Sequence, residues 1–126
     1  MKIYAVGTDI IEVQRIAKAI NTYSLFMQRV YTHREIGYCK KKGRVKYQSF
    51  AGRFAAKEAV AKSLGTGFGK KLSLTDIEIV NNKAKPEVYF RGGGAKLLKR
   101  LGISRVEVSI SSTKNYAVAF AVSIIK

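Results

Sequence analysis

The stretch Phe50-Ala51-Gly52-Arg53-Phe54-Ala55-Ala56-Lys57-Glu58-Ala59-Val60-Ala61-Lys62-Ser63-Leu64-Gly65 is the strongest helical signal in the chain. Ala is the best helix former, Leu, Lys, Arg and Glu are good ones, and a glycine directly after the last apolar position is a common stop. The spacing predicts a helix ending at Gly65. At 3.6 residues per turn, Phe50, Phe54, Ala61 and Leu64 share one flank, and Glu58 stands one turn before Lys62 on a neighbouring flank. The helix has a packing side and a charged edge, and what the edge does depends on what the rest of the chain brings to it.

The chain has 126 residues, 47% of them apolar, which predicts a single domain spanning 1–126 with a small but sufficient core. Lys and Arg number 24 against 8 Asp and Glu, and the net charge of +16 attracts anionic partners. Nucleic acid, an anionic membrane, a phosphate-rich small molecule and an acidic protein all qualify. No apolar run nears the roughly 20 residues of a membrane span, and the N-terminus reads directly into a strand, so the expectation is a cytoplasmic protein without membrane association. The single Cys39 suits a reducing compartment. It lacks the His and third group of a nucleophilic set and reads as an ordinary thiol, surface or partly buried.

Outward from the helix, Ile3 to Gly7 reads as a buried strand that delivers Asp9, through Gly7-Thr8-Asp9, to its C-terminal mouth. Ile11 to Ile20 has helical periodicity, and a short helix from Leu25 to Tyr31 follows Ser24, a candidate N-cap. Thr32-His33-Arg34-Glu35 matches a capping box, with His33 as cap structure rather than chemistry. Arg34, Lys40, Lys41, Lys42, Arg44 and Lys46 form a basic run that reads equally as a solvated face or an anion-binding patch. Gly65-Thr66-Gly67-Phe68-Gly69-Lys70-Lys71 is physically suited to cradle phosphate, yet it follows a helix, so neither the Walker loop nor the dinucleotide fingerprint fits. Thr75–Val80 and Glu87–Phe90 read as a hairpin across a turn-rich 81–86, Ala95–Leu101 as a basic helix, Arg105–Ser111 as a half-buried strand and Tyr116–Ile125 as a strand buried on both faces. The order predicts an α+β fold with a mainly antiparallel sheet and helices packed on it.

Asp9 and Glu58 stand out among the few carboxylates because both lie beside small or apolar residues at positions suited to pointing inward. Two carboxylates with substrate phosphate oxygens and waters make a natural Mg²⁺ site, and such an ion neutralises charge at phosphorus. The same residues also fit an exposed Glu58–Lys62 pair worth about 0.3–0.5 kcal/mol and an Asp9 helix cap. Spacing alone leaves both readings open.

Gly7-Thr8-Asp9-Ile10-Ile11-Glu12, followed by Phe50 to Ala59, Lys62 and Gly65, closely resembles the holo-[acyl-carrier-protein] synthases, the short bacterial 4′-phosphopantetheinyl transferases. The likeness continues through Thr32 and Glu35, Gly65-Thr66-Gly67, Lys85-Pro86, Val108-Ser109-Ile110-Ser111 and Tyr116-Ala117. The resemblance implies a phosphopantetheinyl transferase-like fold and transfer of phosphopantetheine from coenzyme A to a serine of an acidic acyl carrier protein, with release of adenosine 3′,5′-bisphosphate. It further implies Asp9 and Glu58 as Mg²⁺ ligands, Glu58 as base and Lys62 against the leaving phosphates. Gly65 and Thr66 are implied as part of the nucleotide pocket, with Arg53 as its electrostatic support. Ser111, Ser112 and Thr113 are implied as further coenzyme A contacts reaching in from a neighbouring subunit of a homotrimer. Arg15, Lys18 and Arg29 are implied as contacts for the carrier protein.

The chain departs from the family pattern at two places. Ser112 stands where the family usually has a His after Ser-x-Ser; a hydroxyl still hydrogen-bonds phosphate but carries no charge. Thr22 and Leu25 are uncharged in the region that presents arginines to the carrier. Two other function classes fit parts of the composition. A small basic nucleic-acid-binding protein would explain the +16 charge but has no use for paired carboxylates, and no strand alternates aromatic and basic residues as a base-stacking platform would. A Mg²⁺-dependent hydrolase would use Asp9 and Glu58 but generally needs more ligands.

Overall fold

The Ala-rich stretch becomes the axis of the fold. In a computed structural model describing residues 1–69 and 71–126, it lies within an 18-residue helix, α4, Lys46–Ser63. The helix begins a turn earlier than Phe50 and is capped by Leu64, with Gly65 following at φ +79°. It is buried almost all round rather than on one flank, because small Ala side chains let elements approach from several sides; Ala51, Ala55, Ala56, Ala59 and Ala61 are at most 1% exposed.

Before it come β1 (Lys2–Glu12), α1 (Val13–Thr22), α2 (Phe26–Val30) and α3 (His33–Lys40); after it come β2 (Ile77–Asn82), β3 (Lys85–Phe90), α5 (Gly93–Leu101), β4 (Ile103–Ser112) and β5 (Tyr116–Ile125). Among the described residues all strand pairing is antiparallel, as expected for an α+β chain, but it falls into two sheets, β1-β5-β4 and the hairpin β2-β3. The larger sheet packs on α4.

Several boundaries differ from the sequence reading. β1 runs on past Gly7, so Asp9 lies inside the strand, paired with Ala119, and not at its mouth. The strand continues because β5 supplies ladder partners all the way to Glu12. Asp9 therefore caps no helix; Glu12 occupies the N-cap position of α1. Ser24 does not cap α2, whose N-cap is Leu25. Thr75 falls in a 3₁₀ turn before β2, and the 81–86 connection shrinks to a two-residue turn with Lys83 at φ +60°. Lys70, read as part of the glycine–lysine loop, lies outside the described residues.

Neither β1 nor β5 is buried on both faces. In β5, Ala117, Ala119 and Ala121 face the core, whereas Tyr116, Val118 and Phe120 are 38–49% exposed. Tyr4, Val6 and Ile10 of β1 are 42–65% exposed as well. The continuous apolar run of β5 thus serves two surfaces, one packed on α4 and one open.

The Thr32–Glu35 capping box forms as expected at the start of α3. Glu35 also does something the capping pattern does not announce. Its Oε1 lies 2.7 Å from Lys57 Nζ, and both side chains are fully buried. Cys39 is completely buried, more than the sequence suggested; it accepts from the Ser49 hydroxyl at 3.2 Å, and burial pushes its thiol up.

Candidate active site

β1 crosses α4 at Gly7. A Cβ there would overlap the Ala59 carbonyl and stand 2.8 Å from Ser63 N and 2.9 Å from Lys62 Cβ, so only glycine permits the approach. Side chains alternate along a strand, and Ala5, Gly7, Asp9 and Ile11 take the less exposed side that faces the helix. Asp9 is thereby set against the α4 edge carrying Glu58 and Lys62.

Lys62 Nζ donates to the Thr8 carbonyl at 2.9 Å and lies 3.3 Å from Asp9 Oδ1. No Glu58–Lys62 ion pair occurs among the described residues; Lys62 reaches across to the strand. Glu58 is pushed above the ordinary Glu value first by burial and then by the charge of Asp9, with Lys62 opposing. Two carboxylates and a lysine meet here through contacts between residues some fifty positions apart.

Beside them opens a cleft of about 590 Å³. Asp9, Glu58, Arg15 and Lys18 give it a charged side, and Ile16, Tyr23, Phe26 and Phe54 give it an apolar end. Arg29, in the last turn of α2, does not line it. Gly65 and Thr66 form an exposed turn directly after α4.

Arg53 lies elsewhere. It shares a groove of about 220 Å³ with Gln48, Asn81, Ile110 and Ser112, away from the Gly65-Thr66 turn it was expected to support. Ten residues of helix separate Arg53 from Ser63 at the end of α4, on the order of 15 Å at 1.5 Å per residue, and Gly65 lies beyond it. Arg53 is 5% exposed. It donates to Asn81 Oδ1 at 2.7 Å and Ser49 Oγ at 3.4 Å, and it stacks over the Tyr38 ring at 4.0 Å. Its Nε is buried without a hydrogen-bond partner, and none of the ion pairs among the described residues includes it. A buried guanidinium with no carboxylate and an unused donor is suited to an anion. Ser111 and Ser112 end β4 exposed, and Thr113 turns the β4–β5 hairpin by accepting from Asn115 N and Tyr116 N at 3.3 and 3.1 Å.

Sequence reasoning missed the apolar end of the cleft, Tyr38 and Lys57. Lys57 had a readable signal: Phe50, Lys57 and Leu64 recur at seven-residue spacing and share a stripe, so a lysine flanked by two core positions was placed to be buried. Tyr38 and Asn81 carried no such mark, because only the folded chain brings them to Arg53.

A cationic α+β fold with a carboxylate pair, a lysine and a separate arginine groove is suited to phosphate-bearing ligands. Residues 5–121 match the model of the 4′-phosphopantetheinyl transferase superfamily. A holo-[acyl-carrier-protein] synthase of Chlamydia caviae is 50% identical over 121 residues, covering 95% of this chain and 96% of its own. The crystal structure of the Neisseria meningitidis holo-[acyl-carrier-protein] synthase superposes with a TM-score of 0.88 at 35% identity, over 98% of this chain and 99% of that one. That of the Helicobacter pylori enzyme, in complex with coenzyme A, gives 0.83 at 33% identity, over 94% and 99%. The chain belongs to the holo-[acyl-carrier-protein] synthase family of phosphopantetheinyl transferases. The alternative of a small nucleic-acid-binding protein gives way to this membership.

Proposed function

We propose that the protein transfers the 4′-phosphopantetheine group of coenzyme A to a serine of an acidic apo acyl carrier protein in the cytoplasm, within fatty acid biosynthesis. The observation that carries the reading is the meeting of Asp9 and Glu58, which line one cleft, with Lys62, which pairs with Asp9. The coenzyme A bound by the Helicobacter pylori relative supports coenzyme A as the donor.

The donor set suits Mg²⁺. Among the described residues no group of three or more His, Cys, Asp or Glu gathers, and Mg²⁺ is commonly held by one or two carboxylates plus substrate phosphates and water. Asp9 and Glu58 would hold it. When bound, the ion supplies charge neutralisation at the pyrophosphate. The serine oxygen attacks the phosphorus next to pantetheine, the bond from that phosphorus to the bridging oxygen breaks, and adenosine 3′,5′-bisphosphate leaves. Glu58, which lines the cleft, takes the hydroxyl proton. Lys62, fixed by Thr8 and Asp9, sets a positive charge beside the leaving phosphate.

Arg15 and Lys18 flank the cleft for an acidic carrier, Arg29 extends the basic surface along α2, and the apolar end receives aliphatic side chains. The Arg53–Ser112 groove is a second half-site for coenzyme A phosphate, with Ser111 and Thr113 flanking Ser112 in the chain, and Gly65-Thr66 serves the nucleotide of the first half-site. Completing one site from two half-sites requires a neighbouring subunit, and a homotrimer provides it. The open sheet face of Tyr4, Val6, Ile10, Val118 and Phe120 supports the assembly, since exposed apolar patches of this kind mark interfaces.

The test is incubation with coenzyme A, Mg²⁺ and apo carrier protein, read by intact mass. The carrier gains the phosphopantetheine mass with wild type and fails to with Glu58→Gln; no gain with wild type overturns the reading.

A further inference from the structure

Lys57 is the largest fully buried charged side chain among the described residues, the mechanism leaves it unused, and its place on α4 points to a role in the geometry of the site. Its side chain is fully buried, and its ammonium has three acceptors within reach: Glu35 Oε1 at 2.7 Å, the Ile77 carbonyl at 2.7 Å and the Leu74 carbonyl at 3.0 Å. Every donor of the group is used. Glu35 is held in turn, its Oε1 accepting from Thr32 N and its Oε2 from Ile79 N, both at 2.8 Å. Thr32 continues the network by donating to Glu78 Oε2 at 2.6 Å.

The carbonyls that Lys57 grips lie at Leu74, where a connection returns from α4, and at Ile77, the first residue of β2. The backbone leaves α4 after Ser63, carries Gly65, Thr66 and Gly67, and returns at Leu74, just before β2. One end of this connection is fixed by the C-terminus of α4, where Gly65 N donates to the Lys62 carbonyl at 3.1 Å. The other end is fixed to the same helix by Lys57. Burial of Leu72, 2% exposed, holds the returning segment inside, but apolar packing is non-directional and does not set the position of a backbone along the helix. Directed hydrogen bonds do. Lys57 is also the immediate neighbour of Glu58, so the residue that holds the return of the loop lies next to the one that faces the cleft.

We infer that Lys57 is a positioning residue that sets the Gly65-Thr66 turn relative to Glu58 and Lys62, and so tunes recognition of the phosphate-bearing donor without touching it. The inference rests on the proposed transferase reading for the identity of that donor, coenzyme A. It rests on the structure alone for the placement of the loop.

The alternative is that Lys57 contributes stability only, and the two are separated by removing the charge with and without its partner. Lys57→Met leaves Glu35 as an unpaired buried carboxylate and lowers Tm. Combining it with Glu35→Gln removes both charges and restores much of that stability, since replacing a whole buried pair is far milder than breaking one. In the double variant the grip on Leu74 and Ile77 is still absent. We expect KM for coenzyme A raised about tenfold, as for other groups that orient site residues from behind, with KM for the carrier protein unchanged. Hydrogen exchange at the amides of Thr66–Gly69 and Lys71–Ser73 should rise over wild type, while that of β5 stays the same. Recovery of Tm together with wild-type KM and wild-type exchange would overturn the inference. A double variant that remains as unstable as Lys57→Met, with exchange raised uniformly through the chain, would do so too. If wild type neither binds nor turns over coenzyme A, the transferase reading fails, and the exchange pattern still decides the placement role.

Discussion

Lys62 pairs with Asp9 on the neighbouring strand, at 3.3 Å, and not with Glu58 one turn before it on its own helix. The lysine is held at the strand by a second bond, to the Thr8 carbonyl at 2.9 Å, and its side chain remains half exposed. Glu58 is left without a salt-bridge partner among the described residues, close enough to Asp9 for its proton affinity to rise. A site of this form holds one free carboxylate and one tethered cation ready for an anionic substrate.

Lys62→Ala should therefore be mild for the fold and severe for the reaction. An exposed ion pair contributes at most about 1 kcal/mol, so Tm moves little. Removing a donor that stabilises developing charge costs roughly 100- to 1,000-fold in kcat. Thermal unfolding and a single-turnover transfer assay measure the two effects on the same preparation.

In the metal-free protein Glu58 should titrate above the ordinary Glu value of 4.5, because burial first and then the charge of Asp9 disfavour its ionised form. Asp9→Asn removes the like charge and moves the Glu58 titration down, read from its carboxyl carbon by NMR. The stability effect has the opposite sense to that of a salt-bridged acid. The folded state binds the Glu58 proton more tightly than the unfolded chain, so its contribution is largest below 4.5 and is lost as pH rises through the raised value. A Glu58→Gln variant should lack that part of the pH dependence in urea titrations.

Gly7→Ala inserts a methyl into the backbone of α4 at Ala59. Overpacking of this kind costs about 1–3 kcal/mol, and here the obstacle is backbone rather than a side chain that moves aside. Asp9, two residues on, should be displaced from Lys62 as β1 is pushed away. The expected outcome is a lower Tm together with a loss of transfer larger than the unfolded fraction explains.

Phe120→Lys places a charge on the open apolar face of the sheet, where Phe120 is 48% exposed in the single chain. The protomer should keep its far-UV circular dichroism, because the residue is outside the core. On the proposed trimer, sedimentation should shift to monomer, and transfer should be lost as the Arg53–Ser112 groove is separated from the carboxylate site of its neighbour. A monomeric variant with full activity would show that one chain completes the site.

Sequence was sufficient where the physics is local. The α4 helix, its stop at Gly65, the Thr32–Glu35 capping box and the antiparallel α+β order all follow from propensity, capping and periodicity within short windows. The resemblance assigned Asp9, Glu58 and Lys62 to one site. What only the tertiary structure decided is set by contacts between distant segments. β1 extends to Glu12 because β5 offers partners, and β5 is open on one face because α4 covers only the other face of the sheet. Lys57 is buried because Glu35 and the Leu74 and Ile77 carbonyls arrive to meet it. Arg53 belongs to a groove with Ser112, because one helix turns different residues to different neighbours. A spacing along the chain says which residues of one element share a face; which partner that face meets depends on how the elements pack, and here that choice made Lys62 the partner of Asp9.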